Sequence, residues 1–429
     1  MTAPTRGPGR YRWLICALLF FATTVNYFDR QILSLLKDML EHELGWSNTQ
    51  YGEVNAAFQG AYACGLLLFG ALIDRVGAKV GYALSIGAWS VAAMSHTLAG
   101  SVSGFVNARV ALGLGEGGNF PAAIKSVAAW FPRRERALAT AIFNSGANVG
   151  AIVAPGVVPW LASTWGWRST FVAAGVAGLV WLGFWLPVYS APEDASRLSP
   201  AELAHIRSDA QDDAGRAARP TWFSLLGKRA AWSFIVGKFL TDPVWWFFLT
   251  WLPDFFQKTR GLDIKHGAVY LMSTYSIVTV LSIVGGWLPG RLVRRGVGIS
   301  RARKISMFVF ALLVVPVLGV TQVGAWSAVL LIGLAGAAHQ AWSANLFTSV
   351  SDMFPRDAVG SVVGMGGMAG SLGGMLFPIY AGKLLDRFTA AGNVTGGYAV
   401  LFTICGSAYL VAFALNHLLA PRFEPAASA

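Results

Sequence analysis

Charged side chains are scarce in this chain of 429 residues. Only 13% of the residues are Asp, Glu, Lys or Arg, whereas 55% are hydrophobic and the mean hydropathy is +0.53. A soluble domain carries about 25% charged residues. The chain therefore lacks the polar surface of a water-soluble fold, and its composition predicts a protein embedded in lipid.

Cysteine is also scarce, and sequence motifs for metal or phosphate binding are missing. Cys16, Cys64 and Cys405 lie in apolar stretches without the spacing of a metal site or a disulfide framework. No Gly-x-x-x-x-Gly-Lys-Ser/Thr, His-Glu-x-x-His or Gly-x-Ser-x-Gly sequence occurs. We therefore expect no enzyme, no direct use of ATP, no metal and no cofactor.

The amount of apolar sequence fits twelve membrane crossings. Each crossing takes ~20 apolar residues, so twelve use roughly 240 residues and leave room for short loops and one longer linker. We predict an all-α integral membrane protein with spans near residues 12–36, 51–72, 80–97, 103–128, 137–160, 169–189, 230–256, 267–290, 305–322, 325–350, 359–382 and 397–420.

The net charge of +12 is concentrated in the loops on one side of the predicted membrane. With the N-terminus placed inside, 22 of the 33 Lys and Arg residues fall on the inner side and 7 on the outer side. The others, Arg30, Arg109, Lys125 and Lys238, fall inside spans. Because cations are retained on the cytoplasmic side, we predict that both termini are cytoplasmic, with the lipid bilayer and not nucleic acid as partner.

The two halves of the chain resemble each other. A shift of 223 residues superposes identical residues, which are Ser126 on Ser349, Val127 on Val350, Phe131 on Phe354, Pro132 on Pro355, Arg133 on Arg356, Gly150 on Gly373 and Pro155 on Pro378. We predict a six-helix bundle over residues 1–189, a cytoplasmic linker over 190–229 and a second six-helix bundle over 230–429. Parallel repeats of this kind are typical of transporters whose site lies between the repeats.

Two helix starts carry capping signals. In the linker, Ser199, Pro200 and Glu202 have the pattern of a Ser cap, a Pro at the first helical position and a capping-box acid, which predicts a surface helix. Ser47 and Gln50 predict the start of the second span in the same way.

The loop after the second span has a specific sequence. Residues 70–79 read GALIDRVGAK, which resembles the Gly-x-x-x-Asp-Arg-x-Gly-x-Lys signature of the major facilitator superfamily. That family uses the loop as a conformational lock, and the resemblance assigns this role to Gly70, Asp74, Arg75, Gly77 and Lys79. We expect Gly70 to let the second span pack closely on a neighbour. A basic loop that only anchors topology would not explain the glycines and Asp74.

Further segments resemble the organic anion transporters of that superfamily, which include bacterial hexuronate, galactonate and glucarate transporters. They are VNYFDRQ in span 1, ARVALGLGEGGNFPAAIKSVAAWFP in span 4, GKFLTDPVWW in span 7 and GAAHQAWSANLFTSVSDMFP in span 10. The segments of spans 7 and 10 are most similar to the hexuronate members, and that of span 1 to the galactonate members. The resemblance covers the whole chain and implies a monomer in a bacterial inner membrane.

Four charges inside the first and fourth spans need a reason, because each costs ~2.5–3.5 kcal/mol at the bilayer centre. Arg109 and Glu116 lie about 10 Å apart on one helix face, and adjacent Asp29 and Arg30 point ~100° apart. We expect Arg30 to face Glu116 and Asp29 to face Arg109. The resemblance implies proton coupling for Asp29 and Glu116 and anion binding or gating for the arginines. The alternative is that these charges only hold the two spans together.

Other polar and aromatic residues in the spans are candidates for substrate contacts, with core packing or interhelical bonding as the alternative. Lys238 matches an Arg of the hexuronate-like segment, although Lys238 and Lys125 could instead snorkel to the inner surface. The predicted substrate-binding set is Tyr27, Arg30, Tyr62, Arg109, Asn119, Asn144, Asn148, Lys238, Trp245, Trp246, Gln340, Trp342 and Asn345. The glycines from Gly360 to Gly374 are expected to let the eleventh span approach another helix.

These patterns predict secondary active transport. The predicted substrate is a sugar acid, either a hexuronate such as glucuronate or galacturonate, or galactonate, imported by proton symport with alternating access. Two alternatives keep the same fold. One is an organic anion or sugar-phosphate exchanger, for which Arg30, Arg109 and Lys238 would supply the cations, and the other is a non-transporting membrane sensor.

Overall fold

A computed structural model describes residues 9–208, 222–354 and 356–423. Pro355 of the repeat and residues 209–221 of the predicted linker lie outside the described residues. Helices make up most of the described chain, and it contains no β-strand. In chain order they are α1 (Tyr11–Leu35), α2 (Lys37–Leu44), α3 (Asn48–Ser95), α4 (Val102–Glu116), α5 (Asn119–Trp130), α6 (Arg133–Trp165), α7 (Arg168–Val188), α8 (Pro200–Ile206), α9 (Trp222–Leu226), α10 (Arg229–Arg260), α11 (Ile264–Arg294), α12 (Ile299–Val314), α13 (Ala325–Met353), α14 (Arg356–Ala390) and α15 (Val394–Leu419).

Every predicted span is found as helix. Eight helical segments of the described chain are long and apolar enough to cross a membrane, which are Tyr11–Leu35, Asn48–Leu98, Leu138–Trp165, Arg168–Val188, Lys265–Arg294, Ile299–Gln322, Ser361–Ala390 and Val394–Leu419. Asn48–Leu98 contains two predicted spans. The remaining predicted spans correspond to α4 with α5, to α10 and to α13, which are interrupted or carry polar side chains.

Glycines lie at two places in the first unit where the backbone departs from a continuous α-helix. Gly77, with φ 82° and ψ 165°, bends α3 between the second and third spans in a conformation that favours glycine. The fourth span, predicted as one helix, is interrupted after Glu116 by Gly117 and Gly118. A Cβ at Gly117 would collide with the backbone of Gly65 on α3, so this interruption lies where the two helices are closest.

The chain forms two compact units, whose bounds differ from those of the predicted bundles. The first comprises Met1–Ile32 and Gly60–Gly215, and the second comprises Leu33–Gln59 and Arg216–Ala429. Residues 33–59, which hold the end of α1, α2 and the start of α3, thus belong to the second unit.

Polar contacts attach residues 33–59 within the second unit. The Lys37 ammonium donates to Asp254 Oδ1 over 2.6 Å, and Tyr398 donates to the other Asp254 oxygen. The Asp386 carboxylate accepts the backbone N–H groups of Asn48 and Thr49, each over 2.9 Å. Asp386 therefore satisfies the first amides of α3 and places a negative charge at its N-terminus.

The capping signals have two different outcomes. At the start of α3, Gln50 N–H donates to Ser47 Oγ over 3.1 Å and Ser47 N–H donates to Gln50 Oε1 over 2.9 Å, which confirms the predicted capping box. In the linker, Ser199 caps α8 as predicted. The Glu202 side chain, however, is buried and accepts the backbone N–H groups of Tyr11 and Arg12, over 3.2 and 3.1 Å, at the start of α1. The capping-box role predicted for Glu202 is therefore wrong, because the orphan amides of α1 take its carboxylate.

Repeat-related residues make the same local structures in the two units. Phe131 ends α5 and Phe354 ends α13 in extended conformations, and each backbone N–H bonds the carbonyl four residues earlier. A Cβ at Gly150 would lie 2.5 Å from the Thr24 carbonyl oxygen of α1, and a Cβ at Gly373 would lie 2.6 Å from the Phe239 carbonyl oxygen of α10. The sequence match thus reflects a repeated close helix contact.

Candidate functional site

A buried ion pair joins α1 to α4 in the first unit. Arg30 Nε donates to Glu116 Oε2 over 2.6 Å, and the Glu116 side chain is fully buried. This is the contact expected from the helix geometry. Glu116 is the last residue of α4, directly before the Gly117 interruption. A charge-assisted bond in this setting is strong while both groups are ionised, and it depends on Glu116 remaining deprotonated.

Asp29 lies beside this pair but forms no hydrogen bond. The Asp29 side chain is buried, and neither carboxylate oxygen has a hydrogen-bond partner among the described residues. The expected contact from Arg109 to Asp29 is therefore not a direct bond, although Arg109, Arg30 and Glu116 all lie within electrostatic range of Asp29. Because an unsolvated ionised carboxylate is very costly, Asp29 fits this environment best as a neutral acid.

Two tyrosines surround the Arg30 guanidinium. The Arg30 Cζ atom lies 4.9 Å from the ring centroid of Tyr27 and 4.5 Å from that of Tyr62. Both tyrosines are partly exposed. They hold the guanidinium plane by cation–π contacts while their hydroxyl groups remain suited to hydrogen bonding.

The predicted asparagines have different environments. Asn119 is buried at the start of α5, and its Oδ1 accepts the Tyr82 hydroxyl over 2.5 Å. Asn144 is exposed and Asn148 is partly exposed on α6. Asn119 thus bonds within the helix bundle, whereas the two α6 amides have side-chain surface open to a ligand.

The predicted lock loop engages α5 through Lys125. The Lys125 ammonium donates to Asp74 Oδ1 over 2.9 Å and to the Ile73 carbonyl over 2.7 Å. Lys125 therefore contacts the loop that is predicted to be cytoplasmic, and its snorkelling to the inner surface stays a prediction. The prediction for Gly70 is wrong, because a Cβ there would meet nothing within 4 Å, and the close contact with α4 lies at Gly65 instead.

The remaining lock residues surround the Gly77 bend. Arg75 is exposed, and the carbonyl of Lys79 accepts the indole N–H of Trp185 over 3.1 Å. Their part in a lock remains a prediction.

A second buried ion pair lies on α10 in the second unit. The Lys238 ammonium is 2.7 Å from Asp242 Oδ2, and the exposed fractions of the two side chains are 8% and 16%. Lys238 also lies 4.5 Å from the ring centroid of Phe347. Snorkelling, the alternative for Lys238, is therefore not observed, because its ammonium bonds one turn further along the same helix.

Aromatic and polar residues of α13 and α15 pack beside this pair. His339 Nδ1 lies 2.6 Å from the Tyr409 hydroxyl, and the His339 ring stacks on Trp245 at a centroid distance of 5.4 Å. Trp342 is fully buried and packs edge-on against Tyr409. Of the α13 candidates, Trp342 is thus a packing residue, while Gln340 is partly exposed.

The other C-terminal candidates line surfaces of α10 and α13. Trp246 is partly exposed and packs against Gly374 of α14. Asn345 donates to the Ala341 carbonyl, and its Oδ1 has no partner in the described structure. Asn345 lines a cavity of about 420 Å³ together with the paired Arg303 and Asp352. Asn345 is therefore a buried α13 residue with an acceptor left for hydrogen bonding, as Trp342 has a donor left in its indole N–H.

Sequence reasoning missed three residues that the structure places in buried networks. They are Asp242, which forms an ion pair with Lys238, and Lys37 and Asp254, which form an ion pair with each other in the second unit. All are charges within or next to apolar segments, which was the available signal. In the described ranges, no group of three or more His, Cys, Asp or Glu side chains could hold a metal ion.

Comparisons with known proteins agree with this architecture. The Major Facilitator Superfamily profile matches residues 19–378. The chain is 32% identical over 400 residues to the hexuronate transporter of Escherichia coli K12, covering 92% of this chain and 90% of the other. It is 32% identical over 280 residues to the galacturonate transporter of Dickeya chrysanthemi, covering 65% and 81%. The fold is similar to that of a bacterial homologue of the human lysosomal transporter Spinster, with a TM-score of 0.77 and 17% identity over 98% and 100% of the chains.

Proposed function

Because this chain belongs to the Major Facilitator Superfamily, it is a multi-pass membrane transporter and not an enzyme, and we propose that it imports a sugar acid by proton symport. The proposed substrates are hexuronates such as glucuronate and galacturonate, with galactonate as a further candidate. The similarity to transporters named for hexuronate and galacturonate supports this substrate class. We also propose a monomer with both termini in the cytoplasm.

The observation that carries the proposal is the Arg30–Glu116 bond beside the partnerless Asp29 carboxyl. An Arg fork binds a carboxylate in two parallel bonds, so Arg30 suits a sugar acid. While Glu116 is ionised, one of its oxygens holds the Arg30 Nε–H and competes with a substrate carboxylate for the guanidinium. Protonation of Glu116 removes its negative charge and frees Arg30 for the substrate, so proton binding and substrate binding favour each other.

Asp29 would hold a second proton in this scheme. Its carboxyl has no hydrogen-bond partner in the described structure, which favours the neutral form here. A change that brought the Asp29 carboxyl to water or to Arg109 would favour release of that proton. Substrate hydroxyls would then be bound by the tyrosines around Arg30 and by the exposed amides of Asn144 and Asn148.

The experiment is uptake of labelled glucuronate, galacturonate and galactonate into liposomes that contain the purified protein. We expect the wild type to accumulate at least one of them when the outside is more acidic than the inside. Glu116→Gln mimics the protonated acid, so it should exchange substrate across the membrane but lose accumulation driven by the pH gradient.

Two outcomes would contradict the proposal. Accumulation by Glu116→Gln at the wild-type level would remove Glu116 from proton coupling. Uptake that ignores the pH gradient and requires an internal counter-anion would instead establish the exchanger alternative, in which Arg30, Arg109 and Lys238 bind the anion.

A further inference from the structure

We propose that Asp242 is an additional proton-accepting carboxylate of the transport cycle, and that its protonation releases Lys238 to bind an anionic group of the substrate. This inference rests on the proposed proton symport and extends it to the second unit. It concerns the ion pair of Lys238 and Asp242 on α10, which is not part of the proposed site in the first unit.

The geometry makes Lys238 and Asp242 a switchable pair. They are four residues apart on α10, so they lie on the same helix face one turn apart. The ammonium donates to Asp242 Oδ2 over 2.7 Å, and Lys238 is 6% exposed. A lysine held so deep by a single carboxylate can exchange that partner for another anion without any movement of the backbone, because its stem is flexible.

The Asp242 carboxylate is only half satisfied. Its Oδ1 atom is buried and has no hydrogen-bond partner among the described residues, while Oδ2 bonds Lys238 alone. An ionised carboxylate can accept about four hydrogen bonds, so burial with one partner costs free energy that the ion pair must offset. A substrate anion that bonded Lys238 would remove this compensation, and Asp242 would then take up a proton.

In the part of the chain that the structure describes, no further ion pair involves Lys238 or Asp242. Helix α14 presents Gly370, whose missing side chain makes the space for Asp242 Oδ2. Helix α13 presents His339 and α15 presents Tyr409, which are bonded to each other, and the Tyr409 hydroxyl donates to the Thr241 carbonyl over 3.3 Å.

The neighbours bond each other and not the ion pair. His339 Nδ1 and the Tyr409 hydroxyl share one hydrogen bond, and the Tyr409 hydroxyl also contacts the Thr241 carbonyl. Among the described residues, Lys238 and Asp242 thus form an isolated pair. Proton binding to Asp242 leaves one uncompensated ammonium, which is what an anionic substrate needs, and proton release after unloading restores the pair.

The test measures the number of protons that accompany each substrate molecule. Liposomes with purified full-length protein are given opposing substrate and pH gradients, and the substrate gradient that just stops net flux gives the ratio. We expect Asp242→Asn to carry one proton fewer per substrate than the wild type and to show a flatter pH profile of exchange. Asp194→Asn, an exposed linker carboxylate, serves as the matched control and should keep both properties.

A second variant separates coupling from folding. Lys238→Gln should also carry one proton fewer per substrate, because Asp242 without its ammonium partner stays neutral. It should in addition raise the substrate KM about tenfold, the equivalent of one lost charge-assisted contact of about 1.4 kcal/mol. If Asp242→Asn does not purify as a monodisperse protein, the Lys238→Gln result decides, and an unchanged KM overturns the proposal.

The remaining outcomes are also distinguishable. An unchanged ratio and pH profile in folded Asp242→Asn would show that Asp242 only neutralises Lys238 and would overturn the inference while leaving symport intact. Failure of the wild type to couple any sugar acid to the pH gradient would instead overturn the proposed function and this inference together.

Discussion

Individual charges carry most of the information in this chain because so few are present. The Arg30–Glu116 contact was predictable, since a charge inside a span needs a partner and helix geometry limits the choice. The environment of Asp29 was not predictable, because only side-chain packing in three dimensions leaves its carboxyl without a hydrogen-bond partner among the described residues. The ion pair of Lys238 and Asp242 was not predicted, although two opposite charges four residues apart on one helix are a recognisable signal.

The acid Glu135 at the start of α6 allows a prediction of pH dependence. Burial raises the pKa of Glu135, but hydrogen bonds from Arg12 over 2.9 Å and His205 over 2.8 Å outweigh it and leave the pKa below its usual value. A lowered pKa means that the folded protein binds this proton less tightly than the unfolded chain. The stabilisation is therefore complete above the ordinary Glu pKa of about 4.3 and is lost as the pH falls below it.

We accordingly expect Glu135→Gln to reduce the free energy of unfolding by about 0.5–1 kcal/mol at pH 7, as for a partly screened ion pair. Thermal unfolding of the detergent-solubilised protein between pH 7 and about pH 3 measures the effect, and the gap to the wild type should narrow only below about pH 4.3. Glu193→Gln is the control, because its partner Arg207 is half exposed and screened. A gap that stays constant with pH would contradict this account.

At the level of helices, the sequence predicted positions better than contacts. All twelve spans were found as helix, since long apolar runs between polar loops leave few alternatives. The interruption after Glu116 was not predicted, because a Gly-Gly pair is compatible with a continuous helix until a neighbour such as Gly65 approaches. The Glu202 carboxylate was predicted to cap its own helix because capping patterns relate residues that are close in sequence. Its actual partner on α1, the Arg12 backbone N–H, lies 190 residues away in the chain.

The glycines of α14 lead to a prediction about helix packing. The expected close approach of the eleventh span is present, and its partner is α10. A Cβ at Gly373 would lie 2.6 Å from the Phe239 carbonyl oxygen, whereas one at Gly367 would meet nothing within 4 Å. We expect Gly373→Ala to destabilise the protein by about 1–3 kcal/mol through overpacking against backbone.

The Gly367→Ala variant is the matched control on the same helix. It should change stability by no more than about 0.5 kcal/mol. Thermal unfolding in detergent and exchange activity in liposomes measure both variants. Equal losses of stability in the two variants would contradict this account, because only Gly373 lies close to the α10 backbone.

For the whole molecule, the distribution of positive charge predicts the orientation in the membrane. The test starts from a variant in which Cys16, Cys64 and Cys405 are replaced. Two single-cysteine variants are made in it, one at exposed Arg197 in the linker and one at exposed Lys265 at the start of α11. We expect a membrane-impermeant maleimide to label Lys265→Cys on intact cells, and Arg197→Cys only after the membrane is opened. Labelling of Arg197→Cys on intact cells would reverse the proposed topology.

The assignment of residues 33–59 to the second compact unit has a genetic consequence. A gene divided within the linker would encode two polypeptides, and the second would lack the segment that completes its compact unit. That fragment would leave Asp254 without Lys37, and Asp386 without the amides of Asn48 and Thr49. The duplicated halves are consequently not modular, and fragment complementation or domain exchange with a relative would have to carry residues 33–59 together with the C-terminal half.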